Sequence, residues 1–404
     1  MPSIVNRVKS LPGLTGLRLL GKVLSLPRPL VLLGPDSAIR LCGTIADQGF
    51  QRVLIVTDEV LHKLGVVDPL QAALTARGVS CFVFAEVTPD PTFDVVDAGL
   101  RQLKAVNADA LLVVGGGSAI DAAKVMSLAA TTGKNPRDLV GVLKGRKPGL
   151  PMFVVPSTSG TGSEVSVAAV ISDSLTHQKS LVIDTNLVPV AAALDPVINA
   201  GMPASVTAET GVDALTHCLE GWLSEFSNAE TDGYNQAAVR LILNNLATAC
   251  TEPNNLAARE AMALGSHYAG LCLSTTAVGN VHAIAHQLGG HYRIPHGRAN
   301  AMVLPHVLRF YLPHCKKRLG LLARKIGLAA AGTSDLQAAQ QLVDTVCDLI
   351  ESLPMKRSGE FIQSADFPDM VKAALTEVHG LYAVPLYLSE SDTYGLLHAI
   401  QQVR

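Results

Sequence analysis

Short, uninterrupted apolar runs that end in small-residue loops constrain this chain more than any other feature. Val53-Leu54-Ile55-Val56 runs into Thr57-Asp58, and Cys81-Phe82-Val83-Phe84 precedes a Pro89-Asp90-Pro91 turn. Leu111-Leu112-Val113-Val114 runs into Gly115-Gly116-Gly117, and Phe153-Val154-Val155 runs into a second small-residue loop. A strand that is apolar at every position must be buried on both faces, which a parallel sheet covered by helices provides. Helical stretches separate these runs between about residues 30 and 200. After Gly201-Met202-Pro203 the texture changes to long helical periodicities, Thr207 to Phe226, Ala257 to Cys272 and Leu336 to Leu353, and strand signals nearly vanish. The expected architecture is an α/β N-terminal domain over residues 1–203, with 1–29 as an extension, followed by an all-helical domain over 204–404. Ser205 or Thr207 is the expected N-cap of the first long helix. A ligand is expected where the strand C-termini face the second domain.

At 404 residues the chain exceeds one compact core, and with 48% apolar and 16% charged residues it has ample core material. A net charge of −2 creates no strong field, so nucleic acid and acidic membranes are not expected partners. The one basic run, Lys316-Lys317-Arg318, reads as a solvated face. Seven cysteines without CxxC spacing suggest reduced, buried thiols in a cytoplasmic protein. The apolar stretch Leu14 to Leu26 is interrupted by Arg18 and Lys22. It is too short and too charged for a membrane span of about 20 apolar residues. No small-residue cleavage site follows it, so it reads as a helix packed on the fold, or else as a peripheral amphipathic anchor.

Gly115-Gly116-Gly117-Ser118 lies directly after a strand, and Ala119 to Ala130 reads as a helix. Glycines let the backbone approach a bulky anion, and the helix N-terminus offers free N–H groups and a positive dipole end. The spacing is not GxGxxG, so the usual Rossmann fingerprint is absent. A second loop, Pro156-Ser157-Thr158-Ser159-Gly160-Thr161-Gly162-Ser163-Glu164, adds hydroxyls and flexible backbone beside the first if both strands share a sheet. Two such loops suit a pyrophosphate. Asp58, closing its strand, reads as an Asx turn or as an acceptor for a ribose hydroxyl, where it would disfavour a 2′-phosphate.

Asp213 and His217 stand four apart on an expected helix and share a face, as do His282 and His286. His296 follows in Pro295-His296-Gly297, which reads as a fixed loop. A carboxylate and imidazoles without thiolate suit Fe²⁺, Zn²⁺ or another first-row divalent ion. Spacing alone does not say which histidines ligate. His267, His291, His306 and His314 have no comparable setting and read as structural.

GGGSAIDAAK (115–124), PSTSGTGSE (156–164), GVDALTHCLEGW (211–222) and VHAIAHQLGGHYRIPHGRANA (281–301) together resemble the iron-containing alcohol dehydrogenases. Asp195-Pro196 and Leu304-Pro305 match smaller motifs of that family, and the resemblance runs from about residue 30 to 400. It implies metal ligands at Asp213, His217, His282 and His296, and it places His286 beside the substrate as a catalytic group that does not ligate the ion. It implies NAD contacts at Asp58, Gly116, Gly117, Ser118, Asp121, Thr158, Ser159 and Lys179, with Asp121 also facing the catalytic cleft. The first thirty residues have no counterpart, and the asparagine common near Phe310-Tyr311 is missing.

The resemblance implies hydride transfer between NAD(H) and a small alcohol or aldehyde, in an enzyme of type 1.1.1.1 that is a homodimer or higher homo-oligomer. A glycerol- or diol-dehydrogenase-like enzyme of the same fold is the nearest rival. A dehydroquinate-synthase-like lyase lacks support, because 156–164 does not have that group's Asp-Ser-Ser-Val-Gly-Gly-Lys character. A non-catalytic NAD-binding sensor would have no use for an open metal position.

Overall fold

The computed structural model describes residues 26–176 and 178–403. The stretch from Leu14 to Ser25, with the helix or anchor expected there, lies outside the described residues.

The apolar runs form strands as expected. In chain order the strands are β1 (Leu30–Leu33), β2 (Arg52–Asp58), β3 (Ser80–Val87), β4 (Ala110–Gly115), β5 (Gly141–Val142), β6 (Met152–Pro156), β7 (Ala168–Ser172), β8 (Lys179–Ile183) and β9 (Ala191–Leu194). Six of them build one sheet in the order β1-β9-β6-β4-β2-β3, with every pairing parallel. Side chains alternate along each strand. Val53, Ile55, Leu112, Val114 and Phe153 therefore enter one core, and Leu54, Val56, Leu111, Val113 and Val154 enter the other. Helices cover both cores: α1 (Ser37–Asp47), α2 (Glu59–Lys63), α3 (Asp68–Thr75), α4 (Phe93–Ala105), α5 (Gly117–Thr132) and α6 (Pro196–Ala200) follow one another through this part of the chain. Leu41 and Ile45 of α1 and Leu70 and Leu74 of α3 fill one side, while Val96 of α4 and Ile120 and Met126 of α5 fill the other.

The chain runs outward from β2 to β3, then returns to place β4 on the opposite side of β2. Strand order reverses there, the point at which open α/β sheets take up ligands. A second sheet of three short strands, β5-β8-β7, with β7 and β8 antiparallel, was not foreseen from the sequence.

The later part of the chain is helical: α7 (Ala204–Leu223), α8 (Ala229–Thr251), α9 (Leu256–Thr276), α10 (Asn280–Tyr292), α11 (His296–Lys325), α12 (Asp335–Ser352), α13 (Phe367–Leu381) and α14 (Glu390–Gln401). By contacts the chain divides into one compact unit of Leu26–Met202 with Asn254–Ala263, and another containing Pro203–Pro253 and Leu264–Arg404. The segment Asn254–Ala263 groups with the sheet, which a division at 203/204 does not anticipate. Arg259, 1% exposed, ties it there by donating from Nη2 to the Met202 carbonyl at 3.2 Å.

Three expectations are corrected. The N-cap of α7 is Pro203, with no side-chain cap, rather than Ser205 or Thr207. Extended Pro203 leads straight into the helix, and Thr207 Oγ1 turns back to the Pro203 carbonyl at 3.0 Å. His296 is the first residue of α11 and not part of a loop. Of the basic run, Lys316 and Lys317 are exposed, but Arg318 is not a solvated charge. Its guanidinium lies 4.0 Å from the Trp222 ring centroid and pairs with both oxygens of Asp232 at 2.9 and 2.7 Å.

Candidate active site

Within the sheet unit, register brings Asp58, the triple glycine and the 156–164 loop onto one edge, while Lys179 starts β8 of the second sheet. Val56 of β2 pairs with Val113 of β4, and Gly115 of β4 pairs with Pro156 of β6. Asp58, the triple glycine and the 156–164 loop thus leave from the C-terminal ends of three neighbouring strands. Gly116 caps α5, with Gly117 and Ser118 in its first turn, so the N–H groups at that helix start have no side-chain cap. A Cβ on Gly117 would meet Thr161 Cγ2 at 2.7 Å, and one on Gly116 would approach Thr158 at 3.3 Å. The glycines let the two loops pack together.

The second loop is pinned from beneath. Lys124 is fully buried, and its Nζ lies within hydrogen-bond reach of four acceptors for its three N–H donors: the carbonyls of Ala168 at 2.7 Å and Ser166 at 2.8 Å, and the hydroxyls of Ser166 at 3.0 Å and Ser163 at 3.2 Å. Burial lowers its ammonium to about 8 against the pull of Asp121 and Glu164. Asp121 accepts from Ser163 Oγ and, at 2.9 Å, from the Val170 amide. Burial raises its pKa in spite of those partners. One oxygen thus holds the loop at Ser163 and the other holds β7 at Val170. Ser159 Oγ lies 3.3 Å from the Asn199 carboxamide and also serves the loop. Asp58 Oδ1 accepts from the Leu61 amide at 2.9 Å and caps α2, which is the Asx-type contact. Lys179 is exposed and pairs with Asp90 at 2.9 Å.

In the helical unit, Asp213 and His217 lie one turn apart on α7, and His282 lies on α10. All three are buried, with one ligand-type atom from each lying within 4.8 Å of the others. His296 Nε2 lies 3.3 Å from Asp213 Oδ1. Gly297 makes that possible: a Cβ there would sit 2.1 Å from the Glu209 carbonyl, so only glycine lets the start of α11 lie this close to α7. The structure therefore brings together all four residues expected as ligands. His286, one turn beyond His282 on α10, has its ring 5.3 Å from that of His296 and 5.9 Å from that of His282.

Three partners escaped the sequence reading. Glu220 accepts from His282 Nδ1 at 2.6 Å and from the amides of Gly279 at 2.8 Å and Val281 at 2.6 Å. Asn300 Nδ2 donates to Asp213 Oδ1 at 2.8 Å and lies 3.2 Å from His282 Nε2 and 3.4 Å from His296 Nε2. Glu377 of α13 lies 2.7 Å from His286 Nδ1. Glu220 and Asn300 carried a readable signal, since Glu220 shares a helical face with Asp213 and His217 at i, i+4, i+7, and Asn300 stands four after His296. Glu377, ninety-one residues from His286, carried none.

This donor set fits a divalent cation. Burial favours the neutral acid at Asp213, yet His217 and His296 outweigh it and hold the carboxyl well below its usual range. Burial likewise opposes charge on His282, but Asp213 and Glu220 prevail and raise it to about 9. The pocket draws positive charge onto its own imidazole. With Nδ1–H of His282 given to Glu220, Nε2 is left to ligate, the carboxylate–histidine–metal arrangement of many metal sites.

Fold and site define a class: an α/β unit with phosphate-type loops at its switch point, joined in one chain to a helical unit carrying a carboxylate–imidazole metal pocket. Residues 29–196 match the family model described as iron-containing alcohol dehydrogenase, and 207–400 match the Fe-containing alcohol dehydrogenase family, C-terminal. Alcohol dehydrogenase 4 of Saccharomyces cerevisiae (strain YJM789) is 34% identical over 349 residues, covering 86% of this chain and 90% of that protein. The NAD-dependent methanol dehydrogenase of Bacillus methanolicus is 36% identical over 307 residues, covering 76% and 81%. A crystal structure of a 1,3-propanediol oxidoreductase superimposes with a TM-score of 0.89 at 32% identity, covering 94% of this chain and all of that one. The chain belongs to the iron-containing alcohol dehydrogenase family. It is an oxidoreductase acting on alcohols. No helix among the described residues is long and apolar enough to cross a membrane.

Proposed function

We propose that this enzyme uses NAD to interconvert small primary alcohols or diols, reaction type 1.1.1.1, with their aldehydes, and that Asp213, His217, His282 and His296 hold its iron. The convergence of Asp213, His217 and His282 in one buried pocket, with the half-buried His296 3.3 Å from Asp213, carries the reading. NAD use is supported by the paired loops at the ends of β4 and β6 and by the NAD-dependent methanol dehydrogenase among the relatives. A small alcohol or diol fits the methanol and propanediol named in two of the similar proteins. In this reading residues 1–203 bind NAD through Asp58, Gly116, Gly117, Ser118, Thr158, Ser159 and Lys179, and 204–404 bind metal and substrate. Seven free cysteines support a cytoplasmic setting. The enzyme is taken as a homodimer or higher homo-oligomer, which light scattering checks.

When bound, the metal supplies Lewis acidity toward the alcohol oxygen and NAD accepts the hydride. Everything else falls to the chain. Glu220 fixes the His282 tautomer, Asn300 steadies Asp213, and Asp121 with Lys124 holds the second loop in shape. His286 takes the hydroxyl proton.

The test is NADH formation from ethanol, 1-butanol and 1,3-propanediol by metal-stripped protein reloaded separately with Fe²⁺ and Zn²⁺. Turnover restored by Fe²⁺ is expected. Failure with every alcohol and both metals, while NAD still binds, would refute the reading.

A further inference from the structure

The reading above leaves open which nitrogen of His286 takes the proton, and Glu377 answers it. Its Oε1 lies 2.7 Å from His286 Nδ1. The same oxygen accepts from the Tyr382 hydroxyl, and Gln287 Nε2 lies 3.5 Å from Oε2. Tyr382 and Gln287 both donate to it, and an ionised carboxylate only accepts, so the ring nitrogen that faces it must carry a proton. Resting on the function proposed above, we infer that Glu377 is a positioning residue. It fixes His286 as the Nδ1–H tautomer and so leaves Nε2 as the atom that receives the alcohol proton.

The protonation states of the neighbours agree with this geometry. Burial works against the Glu377 anion, but His286 and Tyr382 outweigh it and hold its carboxyl below the usual range. Burial pushes the Tyr382 hydroxyl well up, so it remains a donor. The opposite tautomer would turn a bare nitrogen toward a carboxylate.

The step balances. The alcohol gives its hydroxyl proton to Nε2, the carbinol hydrogen leaves with its electron pair for the nicotinamide of NAD⁺, and an aldehyde and NADH result. The imidazolium formed faces the Glu377 anion, which stabilises it as a buried acid stabilises the histidine of a hydrolase triad. Glu377 touches no reacting atom, and its effect passes through the ring.

The test compares Glu377→Gln, Glu377→Asp and His286→Ala in the metal-loaded enzyme. Glutamine keeps the volume but can present an amide N–H to Nδ1, reversing the tautomer. Glu377→Gln should lower kcat by about 10²- to 10⁴-fold, the span of a lost general base. KM, NAD affinity and metal content should stay within about twofold, and Glu377→Asp should recover part of the rate. In zinc-loaded protein, ¹⁵N–¹H spectra of the imidazoles should place the His286 proton on Nδ1, and on Nε2 in part or whole once Glu377 is glutamine. A kcat unchanged in Glu377→Gln while His286→Ala is inactive would overturn the inference and leave the function intact, as would equal losses in metal content and KM. If no alcohol yields NADH, the function fails, and the spectrum, which needs no turnover, still upholds or overturns the tautomer assignment.

Discussion

Replacing Glu220 by glutamine exchanges one oxygen for an NH₂ group and leaves the volume unchanged. The two carboxylate oxygens serve three donors: Oε1 takes the Val281 amide at 2.6 Å, and Oε2 takes the Gly279 amide at 2.8 Å and His282 Nδ1 at 2.6 Å. With the amide oxygen kept at the Oε2 position, its nitrogen faces the Val281 N–H and one buried donor is orphaned. In the other orientation two donors lose their acceptor. The better case costs about 1–3 kcal/mol of stability in the metal-free protein. His282 also loses the anion that makes it a stronger base, so metal affinity should fall about 10- to 100-fold. Urea unfolding of the stripped protein measures the first quantity, and competition with a chelator measures the second. If both were unchanged in Glu220→Gln, Glu220 would not be what orients His282, and the account of the pocket would be wrong.

Other perturbations separate the loop, the clamp beneath it and the remote helix contacts. Burial lowers the Lys124 ammonium to about 8, against about 10.4 when unfolded, so between those values the unfolded chain binds the extra proton. Wild-type stability should therefore rise relative to Lys124→Met across that window, by up to about 1.4 kcal/mol per pH unit, and parallel urea-derived curves would contradict it. Gly117→Ala places a Cβ 2.7 Å from Thr161 Cγ2 and should weaken NAD binding by calorimetry, with partial recovery on adding Thr161→Ser, which removes that methyl. Arg318→Ala loses a bidentate ion pair and a ring contact, and should cost about 2–3 kcal/mol while leaving KM for alcohol and NAD alone. Lys316→Ala, at an exposed position, should change neither stability nor KM.

Much of this was legible because the relevant signals are local. A run such as Leu111–Gly117 announces a buried strand, a turn and a helix start within seven residues, and Asp213 with His217 announces a shared helical face. The small β5-β8-β7 sheet was not legible, because β5 is only Gly141–Val142 and β7 and β8 follow each other without the intervening helix that sets off the other runs. His296 looked like a loop residue because Pro and Gly flank it. The proline in fact precedes the helix, and the glycine answers to the Glu209 backbone, a partner nothing nearby in sequence reveals. Glu377 illustrates the general limit. Its meaning arises only when α13 packs against α10, and the periodicity of α13 itself reports burial, not which polar group meets it.

The pairing of β1 with β9 has a consequence for how the chain is made. Among the described residues, the one strand that pairs with Leu30 to Leu33 comes about 160 residues later, at Ala191 to Leu194. At roughly 5–20 residues per second on a ribosome, the first strand waits about 10–30 s before its neighbour exists. Through that interval the first strand stays unpaired beside the growing chain, and the sheet can be completed only from its β2-β3 edge across β4, β6 and β9, with β1 joining last.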